Sequence, residues 1–272
     1  MISVRTAHPE KINHLVKSFW YLEVEAAKIG NYQEEIVPDG HHEIIFHLNP
    51  EPGRIKLAGA TEWLEEPQAL IVGQTLQKHH LQLLPGARLY GIRFFPHTIL
   101  AFLNIPVADL TDRIYALGTV TNATPFWDCI TDDPEQTFLN FEDLLTRKFR
   151  SNVIQNPGYD YISAAVSSVM NNKGQVTGDQ LTRKTGISRM HLDNLFLKYV
   201  GITPKLFSRI IQLNSFIAYR IKNPDESLTQ CSYQAGYYDQ SHLAKAFQSF
   251  VGQPPRAYFG HQNEINGIFS SM

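Results

Sequence analysis

The polar residues best suited to chemistry lie in two similar segments, 51 residues apart, near the end of the chain. Residues 189–205 read RMHLDNLFLKYVGITPK and residues 240–256 read QSHLAKAFQSFVGQPPR, with six of 17 positions identical. Because chance gives about 5% identity per site, fewer than one match is expected, and we treat the pair as an internal repeat.

Each copy of the repeat predicts a helix with one apolar and one polar face. The apolar faces hold Leu192, Leu195, Phe196 and Tyr199 in the first copy, and Leu243, Ala246, Phe247 and Phe250 in the second. The polar faces hold Arg189, Met190, Asp193, Asn194 and Lys198 in the first, and Gln240, Ser241, Ala244, Lys245 and Gln248 in the second. Arginine and lysine suit guanine, glutamine and asparagine suit adenine, and aspartate suits cytosine, so these faces can read base edges of DNA.

A shorter helix is expected before each of these helices, which gives each copy the anatomy of a helix-turn-helix. In the first copy we expect Thr177 to cap a helix over Gly178–Thr185 and Gly186 to end it. Ser188 then caps the second helix. The equivalent positions in the second copy are Ser227, Leu228–Ala235, Gly236, Asp239 and Gln240–Val251. A long helix over Pro204–Lys222 joins the copies and can hold them one duplex turn, about 34 Å, apart. The alternative is a plain helical bundle with two similar hairpins.

Charge is unevenly distributed along the chain, which has a formal net charge of −2 over its 272 residues. Residues 1–156 carry 13 Lys and Arg against 19 Asp and Glu, a net −6, whereas residues 157–272 carry 11 against 7, a net +4. Since phosphate contacts dominate affinity for nucleic acid, a basic C-terminal part fits double-stranded DNA as a partner.

The first part of the chain reads as β-rich. Short apolar or alternating runs occur at Ser18–Val24, Glu43–Leu48, Leu70–Val72, His79–Leu84 and Leu89–Phe95. Turn sequences rich in proline and glycine separate them, a pattern typical of a sandwich or small barrel. The expected fold class is α+β multidomain, with an N-terminal β-rich cupin-like barrel or sandwich. The C-terminal domain is all-α, with two helix-turn-helix units joined by a long helix.

Four segments follow from these patterns. They are a β-rich regulatory domain over 1–120, a helical linker over 121–157, the double helix-turn-helix domain over 158–260 and a tail over 261–272. The linker contains an apolar stripe from Phe138 to Phe149 at helical spacing. This stripe must be buried, either against its own barrel or against a second subunit.

The repeat resembles the AraC/XylS family of transcription regulators. The segments that carry the resemblance are GISRMHLDNLFLKYVGITPKLF (186–207) and AGYYDQSHLAKAFQSFVGQPPRAYF (235–259). It implies base contacts from Met190, Asp193, Asn194, Gln240, Ser241 and Lys245, and contacts to the DNA backbone from Arg189, Lys198 and the residues around Tyr238. The short helices depart from the family pattern at Leu181-Thr182 and Cys231-Ser232, but both keep a small residue where the helices touch.

The N-terminal part resembles, less specifically, a sensor domain that precedes this DNA-binding part in some family members. The resemblance lies in Ser18-Phe19-Trp20, Val37-Pro38-Asp39-Gly40, Val72-Gly73-Gln74 and Gly91-Ile92-Arg93-Phe94. It implies a cupin-like barrel and a small-molecule effector. Aromatic-lined pockets hold apolar ligands, and the ligand-binding candidates are Trp20, His42 and Arg93.

The 11 histidines raise the possibility of a metal site, with adjacent pairs at His41-His42 and His79-His80. A cupin metal site needs a spaced His-x-His and a glutamate, and the sequence has no His-x-His. Phosphate-binding loops, nucleophile elbows and Cys-x-x-Cys are also absent from the sequence, so we expect no metal, no cofactor and no catalytic residues. Two function classes remain: a ligand-responsive transcription regulator, and a cupin-like enzyme that carries a DNA-binding module.

Cellular context and further partners follow from the same composition. No apolar run approaches the roughly 20 residues of a membrane helix, and residues 1–10 hold no secretory signal, so we expect a cytoplasmic protein without membrane contact. The two cysteines cannot build a disulfide framework. A homodimer is a possible assembly, and RNA polymerase is the expected partner if the protein is an activator.

Overall fold

The computed structural model describes residues 2–26, 30–103, 105–260 and 265. The strands are β1 (Ile2–Ala7), β2 (Val16–Val24), β3 (Tyr32–Ile36), β4 (His42–His47), β5 (Arg54–Lys56), β6 (Leu64–Glu65), β7 (Ala69–Val72), β8 (His79–Leu83), β9 (Arg88–Phe94) and β10 (Ile114–Ala116). One-turn 3₁₀ helices cover Ile99–Ala101 and Val107–Leu110. The predicted tail over 261–272 lies outside the described residues except for Ile265.

Helices follow the last strand and continue to the end of the described chain. They are α1 (Leu117–Val120), α2 (Thr124–Trp127), α3 (Pro134–Lys148), α4 (Ser151–Ile154), α5 (Pro157–Asn171), α6 (Gly178–Thr185), α7 (Arg189–Tyr199), α8 (Pro204–Lys222), α9 (Leu228–Gln234), α10 (Gln240–Phe250) and α11 (Pro255–Tyr258). The predicted helices of the repeat and their connector are confirmed to within one residue at each end.

The strands form two antiparallel sheets. One sheet has the order β1-β2-β9-β4-β7-β10 and the other has the order β3-β8-β5-β6. Of the two architectures expected for the N-terminal domain, the described strands form the sandwich-like one, because no pairing between them closes the sheets into a barrel. The α+β class, with a C-terminal helical domain, is confirmed.

The larger sheet is buried on both faces near its centre. Along β9, all residues after Arg88 are buried, and alternate side chains point to opposite sides of the sheet. Tyr90 and Phe94 pack towards the helical layer, while Arg93 points to the space between the two sheets.

Helix α3 covers the outer face of the larger sheet. Its packing shows which of the two expected surfaces buries the apolar stripe from Phe138 to Phe149. Phe138, Phe141, Leu144 and Leu145 are buried in one cluster with strand residues of the same domain. The Phe138 ring lies 6.1 Å from the ring of Phe19 on β2, centroid to centroid. The stripe is therefore buried against its own domain, and it is not available as the interface with a second subunit.

The C-terminal domain has a separate core built from α5 to α11. Buried side chains include Ile162 of α5, Phe196 of α7, Phe216 of α8 and Phe247 of α10. Val37 of the N-terminal domain belongs to the same cluster, so the loop between β3 and β4 packs into this helical domain. The two predicted units are thus in direct contact.

Candidate functional site

The first helix-turn-helix consists of α6 and α7. The Thr177 side chain caps α6 by accepting a hydrogen bond from the backbone N–H of Gln180. The Gln180 side chain in turn accepts a hydrogen bond from the backbone N–H of Thr177, and the two bonds form a capping box. Gly186 ends α6 with φ of 71°, a left-handed conformation that favours glycine. Ser188 then caps α7 through the N–H of His191. These caps and the terminal glycine determine the turn between α6 and α7, and thereby the orientation of α7.

The second helix-turn-helix repeats this construction with α9 and α10. Ser227 and Gln230 form the capping box of α9, and Gly236 follows with φ of 74°. Asp239 caps α10 by accepting a hydrogen bond of 2.7 Å from the N–H of His242. Because each cap of the first copy has a counterpart in the second, the two copies are the same structural unit, as the repeat predicts.

The apolar faces of α7 and α10 are both buried, as expected. Leu192, Leu195, Phe196 and Tyr199 are buried in α7, and Leu243, Ala246, Phe247 and Phe250 are buried in α10. The polar faces therefore point away from the core, where they are free to meet a ligand as large as a nucleic acid.

The exposed face of α7 contains the residues predicted to contact DNA bases in the first copy. Met190 is 74% exposed and Asn194 is exposed, while Asp193 is partly buried. Asp193 lies one helical turn from Arg189, with 3.5 Å between its carboxylate oxygen and the guanidinium Nε. This pair offsets the charge of the predicted backbone contact Arg189, so the first copy presents a face with little net positive charge.

The exposed face of α10 contains Gln240, Ser241 and Lys245, all accessible to solvent. The Gln240 side-chain amide donates a hydrogen bond to the hydroxyl of Thr229 on α9, which holds its orientation at the start of the helix. Tyr238, two residues before α10, is 86% exposed. This large unpacked aromatic sits beside the polar face, where a backbone contact is predicted.

Lys198, the other predicted backbone contact, occupies the last turn of α7. Its ammonium lies 4.9 Å from the centroid of the Tyr199 ring. Lys198 also lines a cleft between α7 and the 3₁₀ helix Val107–Leu110 of the N-terminal domain. Lys198 therefore lies at the edge of the polar face of α7 and not at its centre.

The N-terminal domain contacts the chain just after α7 and at the end of α10. The Thr111 hydroxyl donates a hydrogen bond of 3.0 Å to the carbonyl oxygen of Gly201. In the second copy, the Lys78 N–H donates to the carbonyl oxygen of Phe250 at 2.7 Å. The Gln253 amide also donates to the Glu35 carboxylate at 2.7 Å. A change in the N-terminal domain can therefore reach both recognition helices.

A cavity of about 100 Å³ lies between the two sheets of the N-terminal domain. Two of the three predicted ligand-binding residues, Trp20 and Arg93, line it. Arg93 is 2% exposed, and its guanidinium donates to Glu43 at 2.6 Å and to Asp39. Burial raises the pKa of Glu43, against the opposing effect of Arg93. Asn214 of α8 reaches the same cavity, so the connector helix forms part of its wall.

The third predicted ligand-binding residue, His42, does not line the cavity. Its side chain is fully buried on the face of β4 that it shares with Ile44 and Phe46, which pack under α3. Since side chains alternate along a strand, its neighbour Glu43 faces the cavity. The assignment of His42 is corrected for this reason, and its other neighbour His41 reaches the cavity from the preceding loop.

Several cavity residues were missed in the sequence. Asp39 was named only within the segment that resembles a sensor domain, Glu43 only as the first residue of an apolar run, and Glu66, Asn214 and Ile265 gave no signal at all. Their positions depend on which strand faces meet and on the packing of α8. Ile265 is buried at the cavity, and its N–H donates to Glu34 at 2.8 Å.

Burial favours the neutral form of two histidines that line the cavity, and no metal cluster is found in the described part of the chain. Burial lowers the pKa of His79 to about 4 and that of His41 well below its usual value. Within the described residues, no three His, Cys, Asp or Glu side chains are grouped so that they could hold a metal ion. None of the described helices is long and apolar enough to span a membrane.

Comparison with known families agrees with this geometry. Residues 181–261 match a family described as a helix-turn-helix domain, and residues 5–116 match a domain of unknown function (DUF6597). The description of this C-terminal match agrees with the helix-turn-helix units predicted from the repeat. Fold and match together define a helix-turn-helix region, a motif that places a recognition helix in the major groove of DNA.

Among solved structures, the chain is similar to ToxT. ToxT from Vibrio cholerae matches at 11% identity over 95% of this chain and 98% of that one, with a TM-score of 0.47. ToxT with an unsaturated fatty acid bound matches at 14% identity over 94% of both chains, with a TM-score of 0.46. An AraC-type regulator from Chromobacterium violaceum matches at 18% identity over 42% of this chain and 94% of its own, with a TM-score of 0.31. No curated protein matches the chain.

Proposed function

We propose that this protein binds a specific operator sequence through α7 and α10, and that a small molecule in the N-terminal cavity controls this binding. The observation that carries the proposal is the pair of matched helix-turn-helix units with exposed polar faces. Two such faces in one chain read two neighbouring segments of a duplex.

The connector has a suitable length for two neighbouring major grooves. Helix α8 contains 19 residues, which at the usual helical rise corresponds to about 28 Å. Successive major grooves on one side of a duplex are about 34 Å apart, so a rigid helix of this length suits them.

Base reading is assigned to residues of the two polar faces that point away from the core. These are Met190, Asp193 and Asn194 on α7, and Gln240, Ser241 and Lys245 on α10. Lys245 suits guanine and Gln240 suits adenine, while the paired Asp193 favours a looser contact by the first copy. Arg189, Lys198 and Tyr238 flank these faces and are assigned to the phosphate backbone.

Control by an effector is supported by the contacts between the domains. The cavity shares Asn214 with the connector, and the N-terminal domain touches the chain at the ends of both recognition helices. An effector changes DNA affinity if it binds two arrangements of these helices with different affinity.

The N-terminal domain is proposed to regulate and not to catalyse. The charged groups of its cavity hold one another, since Arg93 bonds both Asp39 and Glu43. Nucleophilic catalysis requires a nucleophile within hydrogen-bond reach of a base, and this cluster of an arginine with two carboxylates is not such a pair. No observation favours the alternative of a cupin-like enzyme that carries a DNA-binding module.

The remaining partners follow from this function. Double-stranded DNA is the main partner, RNA polymerase is a partner if the protein activates transcription, and the protein acts in the cytoplasm with the bacterial chromosome. A homodimer, if it forms, uses a surface other than the α3 stripe, because that stripe is buried within its own domain.

The proposal is tested by selecting bound sequences from random DNA with the full chain. We expect a two-part consensus whose centres are one helical turn apart. With about six phosphates neutralised, affinity should fall roughly a thousandfold between 50 and 200 mM salt. Binding without any sequence preference, or without this salt dependence, contradicts the proposal.

A further inference from the structure

The internal repeat contains one identical pair of residues that the fold does not explain. Six positions are identical between the two copies, and five of these pairs have the same structural role in both. Leu192 and Leu243, Phe196 and Phe247, and Val200 and Val251 are buried, Gly201 and Gly252 have φ of 89° and 71°, and Pro204 and Pro255 begin the helices that follow. The sixth pair is His191 and His242, and both side chains are exposed.

Helix capping does not require a histidine at this position. His191 and His242 are the third residues of α7 and α10, and their backbone N–H groups donate to the caps Ser188 and Asp239. Every residue except proline supplies such an N–H. The equivalent position of α6 and α9 is a glutamine, whose side chain completes a capping box. The caps therefore account for the backbone of the two histidines and not for their imidazole rings.

Packing does not explain the pair either. The His191 ring lies 6.3 Å from the ring of Tyr161 on α5, and the His242 ring lies 5.2 Å from that of Tyr237 in the turn before α10, centroid to centroid. These tyrosines occupy different places in the two copies, so they give no common reason for a histidine. Within the part of the chain that the structure describes, neither imidazole makes a hydrogen bond or an ion pair. Their ring nitrogens are available to a partner outside the chain.

Both histidines lie along one edge of the polar face of their helix. His191 precedes Lys198 by seven residues, and residues at this spacing share one side of a helix. Lys198 is the residue of this edge that is proposed to contact the DNA backbone, while Met190 and Asn194 lie nearer the centre of the face. His242 has the same place on α10. When such a face enters the major groove, its edges meet the phosphates that border the groove.

An imidazole suits this place chemically. It carries at least one N–H donor in its neutral form and two when protonated. Phosphate oxygens accept hydrogen bonds from polar side chains at the edges of a recognition helix, and these contacts set the register of the helix on the duplex.

We propose that His191 and His242 each donate a hydrogen bond to a phosphate of the DNA backbone, at equivalent places in the two halves of the operator. Because α7 and α10 belong to copies of one unit, the two phosphates are about one helical turn apart. The inference rests on the proposed function, and it adds one positioning contact to each recognition helix.

Neutral phosphates in the operator test the inference. Each phosphate in turn is replaced by a methylphosphonate, and the affinity of the full chain is measured by fluorescence anisotropy. A hydrogen bond to a charged group is worth at least about tenfold in affinity. We expect such a loss at two phosphates about 10 base pairs apart, each of which becomes insensitive in one histidine variant.

Two variants assign these phosphates to the histidines. His242→Phe keeps a ring beside Tyr237 and removes the N–H donor. It should bind the unmodified operator about tenfold more weakly, with no further loss when its own phosphate is neutral. His191→Phe should behave in the same way at the other phosphate. His14→Phe makes the same change at an exposed residue of the N-terminal domain and should leave operator affinity unchanged.

Three results overturn the inference. They are unchanged operator affinity in either variant, a loss that adds equally to that of every neutral phosphate, and a loss confined to particular base pairs. If circular dichroism shows that a phenylalanine variant is unfolded, the alanine variant replaces it, because both histidines are exposed and their truncation removes no core contact.

A duplex of unrelated sequence separates this inference from the proposed function. Phosphate contacts do not depend on base sequence, so both variants should also lose about tenfold on this duplex. A protein that binds its operator equally well with and without the two histidines loses the phosphate contacts and keeps its role as a regulator. A protein without sequence preference whose variants still bind DNA more weakly loses the operator and keeps the phosphate contacts.

Discussion

The side-chain amide of Asn214, in the middle of α8, donates a hydrogen bond of 2.5 Å to the carbonyl oxygen of Pro38 in the N-terminal domain. Pro38 belongs to the loop that carries Asp39, and Asp39 holds Arg93 at the cavity. One residue further along this loop, a Cβ on Gly40 would lie 2.8 Å from the Ile211 side chain. The loop thus joins the wall of the cavity to the connector of the DNA-binding domain.

Asn214→Ala is expected to weaken the link between the domains. The lost hydrogen bond should lower the free energy of unfolding by about 1 kcal/mol, and the effect of a cavity ligand on operator affinity should decrease. Ser215→Ala, the next residue on α8, is the control. Operator affinity is measured with and without the ligand. If the ligand changes operator affinity as much in Asn214→Ala as in the natural protein, the hydrogen bond between Asn214 and Pro38 does not transmit the effect.

Gly91→Ala is expected to destabilise the N-terminal domain. A Cβ at Gly91 would lie 1.9 Å from the indole of its cross-strand partner Trp20, so the ring or the strand must move. Overpacking of this kind usually costs about 1–3 kcal/mol. Gly118→Ala has open space and should be neutral or slightly stabilising. Denaturant unfolding measures both, and equal stability of the two variants contradicts the packing.

The repeat could be predicted from the sequence because its signals are local. Capping residues, terminal glycines and helical spacing all lie within about 20 residues of chain, and Ser227, Gly236 and Asp239 take their expected roles. The strands with strong apolar runs, such as β2 and β9, were also expected.

The missing elements depend on distant contacts. β1 is an edge strand with only partly buried and exposed residues, and β3 reads YQEEI, which gives little hydrophobic signal. The cavity is harder still to predict, because Glu66 comes from the loop after β6, His79 from β8 and Asn214 from the other domain. Strand alternation also determines that Glu43 and not His42 faces the cavity, and the sequence alone does not show which face of β4 is turned towards it.

Lys245→Ala and Gln240→Ala are expected to relax base preference in one half of the operator. Each should cost about 1–3 kcal/mol at the base that it reads and little elsewhere. Lys198→Ala should weaken binding to all sequences alike, because it acts on the backbone. Lys222→Ala, an exposed lysine at the end of α8, is the control cation. Affinities for all single-base variants of the operator are compared, and a uniform loss for Lys245→Ala refutes its role in base reading.

Stability should decrease as pH falls from about 6.5 to 4, partly because of His97. Its side chain is 6% exposed, and burial lowers its pKa to about 4. The unfolded chain takes up a proton near pH 6.5, while the folded protein does so only near pH 4, so acid favours unfolding by about 1.4 kcal/mol per pH unit across this window. His97→Leu removes the group and keeps an apolar contact beside Tyr159, whose ring lies 5.3 Å away. The decline in unfolding free energy should therefore be shallower by this amount in His97→Leu, whereas the exposed His14→Leu should follow the natural protein. Urea unfolding at pH 7, 6, 5 and 4.5 gives the three slopes, and a slope for His97→Leu equal to that of the natural protein would show that His97 does not stay neutral in the fold.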